Sequence, residues 1–153
     1  MAVSTETQAT ANGTHTDSKP LELAIDLPRS PGLKLNLHLT ILANSILLFL
    51  TSTDSDALPN SAVPMGSFVY ALPDRWNPSQ PMSTALYTAP SSLDFTTRMA
   101  KVLTRKLAKP CYVSCSVNLS SAAGGGSVEE EMEAFRLVVE TVVKVAGESG
   151  LGS

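Results

Sequence analysis

The chain has 153 residues, of which 43% are hydrophobic and 5% aromatic, and a formal net charge of −3. That length suits one domain with tails, and the aliphatic share is ample for a core. The acidic balance carries no nucleic-acid signature, and no apolar run approaches the length of a membrane span.

Residues 1–19 are rich in Thr, Ala, Ser and Gln with almost no apolar bulk. Such a segment cannot bury enough surface to offset its ordering entropy and is expected to be disordered. It also lacks the charged start and apolar centre of a secretory signal. The expectation is therefore an intracellular chain, with Cys111 and Cys115 as reduced thiols and the sequons at Asn12 and Asn118 unmodified.

Leu21, Leu23, Ile25 and Leu27 alternate with Glu22, Ala24 and Asp26, which predicts a first strand, ended by Pro28 and Pro31-Gly32. The segment 33–50 organises the rest. Leu33, Leu35, Leu37, Leu39 and Ile41 alternate with Lys34, Asn36, His38 and Thr40, the period of a strand with one wet and one dry face. Asn44-Ser45 supplies a turn. Ile46 to Leu50 is then apolar at every position, as expected of a strand covered on both faces. A hairpin follows, its second strand deep in a sheet.

Residues 51–65 read as a polar loop with Pro59 and Pro64. Ser67 to Leu72 is a strand, 73–81 a second proline-rich loop, and Thr84 to Thr88 a short strand. Ser91 and Asp94 have the spacing of a capping box. Behind them Phe95, Met99, Val102, Leu103 and Leu107 share a helix face, and Lys109-Pro110 stops the helix. Cys111 to Leu119 alternates again, with Cys111, Val113, Cys115 and Val117 on one side.

A glycine-rich loop leads to a second capping box, Ser127 and Glu130, and a helix whose first turns hold Glu129, Glu130, Glu131 and Glu133. Its stripe is Met132, Phe135, Val139 and Val142, widened by Val138 and Val145, with Gly147 as a C-terminal stop. Burying such a stripe is worth about 1.5–3 kcal/mol per large side chain. The fold class expected is α+β: an antiparallel sheet of about six strands against two main helices, the domain spanning 20–147 with a flexible end over 148–153.

No chemistry-bearing pattern emerges. The two cysteines, four apart on one strand face, read as small buried hydrophobes. A zinc site would need two further ligands, and only His15, in the tail, and His38, on a wet strand face, are available. Gly124 to Ser127 lacks the Lys-Ser/Thr of a phosphate loop, and no glycine-flanked serine elbow occurs. The chain is read as no enzyme, without cofactor or metal. Arg98, Lys101, Arg105 and Lys109 form a basic stripe, either a solvated helix face or a docking surface for an acidic partner.

Several stretches in order resemble a fungal-like member of the proteasome assembly chaperone 4 family: LHLTILANSILLFLTST, MGSFVYALPDR, STALYT, DFTTRMAKVLTRKLAKPCYVSCSVNL and VEEEMEAF, covering about 33–135. The resemblance implies a small non-catalytic chaperone, cytoplasmic and nuclear, that pairs with a chaperone of the assembly chaperone 3 type. Together they would engage the alpha ring of the 20S proteasome, chiefly through alpha-type subunit 5, with no nucleic acid and no membrane involved. The long polar leader, the loops 54–65 and 73–81 and the continuation past Phe135 depart from the family pattern. The rival reading is a profilin-like or longin-like adaptor for a ligand or a GTPase.

Overall fold

The computed structural model describes residues 19–28, 32–54, 64–117 and 128–148. The expected tail over 1–19 and flexible end over 148–153 fall almost wholly outside them, as do the glycine-rich loop, Ser127 and most of the loop 54–65.

Six strands and two helices form an α+β fold: β1 (Leu21–Asp26), β2 (Leu33–Ile41), β3 (Ile46–Asp54), β4 (Ser67–Leu72), β5 (Met82–Tyr87), α1 (Leu93–Leu107), β6 (Cys111–Cys115) and α2 (Val128–Glu148). The sheet order is β1-β2-β3-β6-β4-β5. The β2–β3 hairpin is closed by Leu42 N–H donating to the Ser45 carbonyl at 2.9 Å, and pairs from Ile41↔Ile46 to Leu33↔Asp54. The strand therefore continues through Thr51–Asp54, where proline content and polarity suggested a loop. The backbone partners of β2 hold these residues in the ladder.

β6 lies parallel to β3 and antiparallel to β4. The sheet is thus mixed, antiparallel in all pairings but one. The parallel pair arises because the chain returns from α1 into the gap between β3 and β4. Ile46 N–H donates to the Pro110 carbonyl and Ser116 N–H to that of Leu50, each at 3.0 Å, fixing both ends of the insertion. β6 stops at Cys115, short of the expected end at Leu119, of which 118 and 119 are outside the described residues.

Both helices lie on one face of the sheet. Leu35, Leu37, Leu39, Ile46, Leu48, Leu50, Val69, Val113 and both cysteines are buried there. They meet Phe95, Met99, Leu103 and Leu107 of α1 and Ala134, Val138 and Val142 of α2. Small residues at the last three positions let α2 approach closely. Val138, Val139 and Val142 of the expected stripe are buried, but Met132 is 63% exposed, because the buried line of α2 passes through Ala134, Val138, Val142 and Ala146. Gly147 is not a stop either: α2 continues through Glu148.

The start of α1 also differs from expectation. Its N-cap is Ser92, and no side chain caps the helix. The Ser91–Asp94 box does not form, since Asp94 turns to Arg98. Ser92 is committed to the sheet: its hydroxyl accepts from Ser67 N–H at 3.1 Å and donates to Ser67 Oγ at 3.0 Å. Ser67 Oγ in turn exchanges two 2.9 Å bonds with the backbone of Ala89. A buried hydroxyl without partners would cost about 1–3 kcal/mol, so this closed network holds β4 to α1 at a fixed place. Just before it, Gly66 has φ of +72°, and a Cβ there would overlap the Cys115 carbonyl. Only glycine allows β4 to enter beside β6.

Candidate partner-binding surfaces

With both helices on one side, no described element covers the other face of the sheet. Period-two geometry dictates what it carries. Residues opposite one another across the strands share a face. The ladder Thr40–Leu47–Tyr112–Tyr70–Thr84 crosses the middle, and His38–Phe49–Ser114–Phe68–Tyr87 lies beside it. Five of the eight aromatic residues of the chain thus stand on the open face.

Their rings form a row. Phe49 and Phe68 stack with centroids 6.2 Å apart and planes within 9°. Phe68 stacks on Tyr112 at 6.2 Å, and Tyr112 meets Tyr70 at 4.5 Å. His38 closes the row edge-on to Phe49 at 6.3 Å. The small Ser114, buried between them, donates to the Met65 carbonyl at 2.7 Å and leaves the rings room to lie flat. Leu72 and Met82 extend the apolar surface toward β5.

The other flank is polar: the Glu22 carboxylate lies 3.9 Å from His38 Nδ1, and Asp26 the same distance from Lys34. Asn36 donates to Thr53 Oγ1 at 2.8 Å. An aromatic centre with a charged rim is the anatomy of a protein–protein interface. Sequence reasoning took β3 as covered on both faces. In the structure Leu47 and Phe49 are half-buried on the open face, shielded sideways by rings rather than from above.

The basic stripe lies on the helix side, and the structure divides it. Arg98 is engaged within the fold: its Nε is 3.2 Å from Asp94, it bonds the Glu131 carboxylate, and its guanidinium sits 5.5 Å over the Phe135 ring. Opposite charges on the two helices here partly meet each other. Lys101 turns toward the loop 73–81, sharing a hollow with Asp74 and Gln80. Arg105 is exposed at the junction of that hollow and a groove between α1 and α2. Lys109 is half-buried beyond the helix end. Lys106, Arg136 and Lys144, not singled out from sequence, share the groove with Arg105. Only the pairing of α1 with α2 reveals them as neighbours.

Cys111 and Cys115 are free and buried on the helix face. Burial pushes each thiol from its ordinary 9.0 to about 11, so both are poor nucleophiles at neutral pH. Among the described residues no cluster of three metal-binding side chains occurs, and no helix is long and apolar enough to cross a membrane.

Comparison with known proteins gives two matches, one of structure and one of family. A chain in the crystal structure of a chaperone complex for yeast 20S proteasome assembly superposes with a TM-score of 0.58. It is 16% identical, over 85% of this chain and 95% of that one, a likeness of fold. No curated protein matches in sequence. The family model described as proteasome assembly chaperone 4 matches residues 34–117, from β2 to just past β6, more than half of the chain. On that match, the chain belongs to the proteasome assembly chaperone 4 family.

Proposed function

We propose that this protein is a non-catalytic chaperone of 20S proteasome assembly that works by pairing. The open aromatic face would meet the sheet of a related chaperone of the assembly chaperone 3 type. The helix side, with Arg98, Lys101, Arg105 and Lys109, would meet an alpha-ring subunit, alpha-type subunit 5 being the expected one. The observation that carries this reading is the half-buried row Phe49–Phe68–Tyr112–Tyr70, which no described element covers. A monomer that keeps five aromatic residues of eight on one uncovered surface gains stability by covering it. The similar yeast chain belongs to a chaperone complex, which supports pairing as the mode of action.

The test is reconstitution. Co-expression with an assembly chaperone 3-type protein from the same cell should give a heterodimer by light scattering. Adding alpha-type subunit 5 should give a ternary complex. Replacing Phe68 by Asp should weaken the first step strongly while leaving the circular dichroism of the isolated chain unchanged. A heterodimer that forms equally well with Phe68→Asp would overturn the sheet-face reading. A bound metabolite in native mass spectra, with no pairing, would favour the adaptor reading instead.

A further inference from the structure

The groove between the helices is a second apolar surface, on the opposite side of the molecule from the open sheet. Its floor is Val102 of α1 with Phe135, Val139 and Val143 of α2, in a cavity of about 560 Å³. Past Phe135 it continues to Met132, which lies beside Glu129, Glu133 and Arg98. Met132, Phe135, Val139 and Val143 follow helical spacing along roughly 16 Å of α2. Three of them belong to the stripe that the sequence suggested for the core; Val139 is buried at the groove's base, while Phe135 and Val143 are half-buried and Met132 is exposed.

The charge along the groove is graded. At the Met132 end the lining acids are Glu129 and Glu133. At the Val143 end stand Arg105, Lys106 and Lys144 beside Glu140, and Arg136 lies between the two ends, lining both. Arg136 is 3.4 Å from Glu140. Among the described residues no carboxylate lies within ion-pairing distance of Arg105, Lys106 or Lys144. These three cations around the apolar floor thus have no ion-pair partner among the described residues.

We propose that this groove seats an amphipathic helix of a protein partner, with apolar residues at i, i+3 and i+7 on the floor and acidic residues over Arg105, Lys106 and Lys144. The length of the stripe sets the reach, about three turns. The apolar floor sets the anchors, as in other helix-in-groove complexes. The three cations set the sign and the register. The inference goes beyond the pairing reading and does not depend on it, because the two surfaces lie on opposite sides of the sheet.

The test uses the full-length chain and a fluorescein-labelled helical peptide of about 14 residues, with leucines at i, i+3 and i+7 and glutamates in one half. A second peptide has lysine for each glutamate, and a third has serine for each leucine. Fluorescence anisotropy should show the acidic peptide binding at least tenfold more tightly than either control. The variant combining Arg105→Glu, Lys106→Glu and Lys144→Glu should lose that preference or reverse it, with heterodimer formation unaffected. Val143→Asp should weaken the acidic peptide at least tenfold. Equal binding of the acidic and lysine peptides, or an unchanged preference in the triple variant, would overturn the proposal. So would failure of the full-length chain to bind any of the three.

Discussion

The two faces of one sheet are built from different chemistry. The helix face is aliphatic and sealed: Leu35, Leu48, Leu50 and Val113 have no accessible surface. The open face is aromatic and half-exposed, its rings shielding one another edge to edge. Neighbouring residues of β3 make the contrast direct, since Leu47 and Leu48 have the same side chain and opposite fates. Apolar character alone therefore does not mark the core. The interior of this fold is mostly aliphatic, with Phe95 among its buried residues, while the broad, flat rings of the open face are placed where a second surface can lie on them.

The largest expected effect sharpens that contrast. Leu48→Ala should cost about 2–5 kcal/mol, because a sealed site keeps its cavity. Leu47→Ala, one position away, should cost no more than about 1 kcal/mol. Urea titrations of both variants measure this, and equal losses would break the comparison.

The thiols come next. Both sit on the sealed face with pKa raised from 9.0 to about 11. Below pH 9 the folded and unfolded chains both hold these protons. Between pH 9 and 11 the unfolded chain releases them first, so stability falls as pH rises, by roughly 2 kcal/mol per thiol at the upper end. Denaturant midpoints at pH 8.5 and 10.5, compared with those of a Cys111→Ala/Cys115→Ala double variant, isolate this part from other titrating groups. The double variant should lose markedly less on going to the higher pH.

On the open face the reverse sensitivity is expected. Phe68→Asp should leave the isolated chain folded but weaken chaperone pairing by about 2 kcal/mol or more, as for a central aromatic anchor. Calorimetric titration against the partner reads it. The smallest effect belongs to the basic stripe. Converting Arg98, Lys101 and Arg105 to Glu should cost little stability, the exposed pairs of Arg98 being worth about 0–1 kcal/mol. It should weaken an alpha-subunit contact about tenfold, or about 1.4 kcal/mol. Surface plasmon resonance against the subunit checks it, and unchanged binding would remove the stripe from the interface.

Local pattern revealed what is local. The alternation of Leu33–Ile41 is the ladder of β2, the Asn44-Ser45 turn lies where its chemistry asks, and α1 buries Phe95, Met99, Leu103 and Leu107 as their spacing requires. What escaped depended on distant neighbours. An unbroken apolar run such as Ile46–Leu50 looks the same whether its second face is covered by helices or by its own aromatic row. Ser92 rather than Ser91 begins α1 because Ser67, far away in sequence, holds its hydroxyl. Met132 fits the α2 stripe by spacing, but the approach of α2 to the sheet selects the line of smaller residues through Ala134. The groove cations were only half visible, Arg105 on a stripe of α1 and Lys144 unnoticed on α2, because no pattern within either helix announces the other.

The place of β6 has a consequence for how the molecule is made. The sixth strand in the chain is the fourth across the sheet, so nothing joins β3 to β4 in one ladder until the residues up to Cys115 have left the ribosome. Until then the nascent chain holds a three-stranded leaf and a separate hairpin, each with a raw inner edge exposed. Their union through a late central strand links residues far apart in the chain, the kind of closure that slows folding and prolongs the time in which unpaired edges invite aggregation. A protein that guides the building of a larger machine would itself spend its youth in need of shelter.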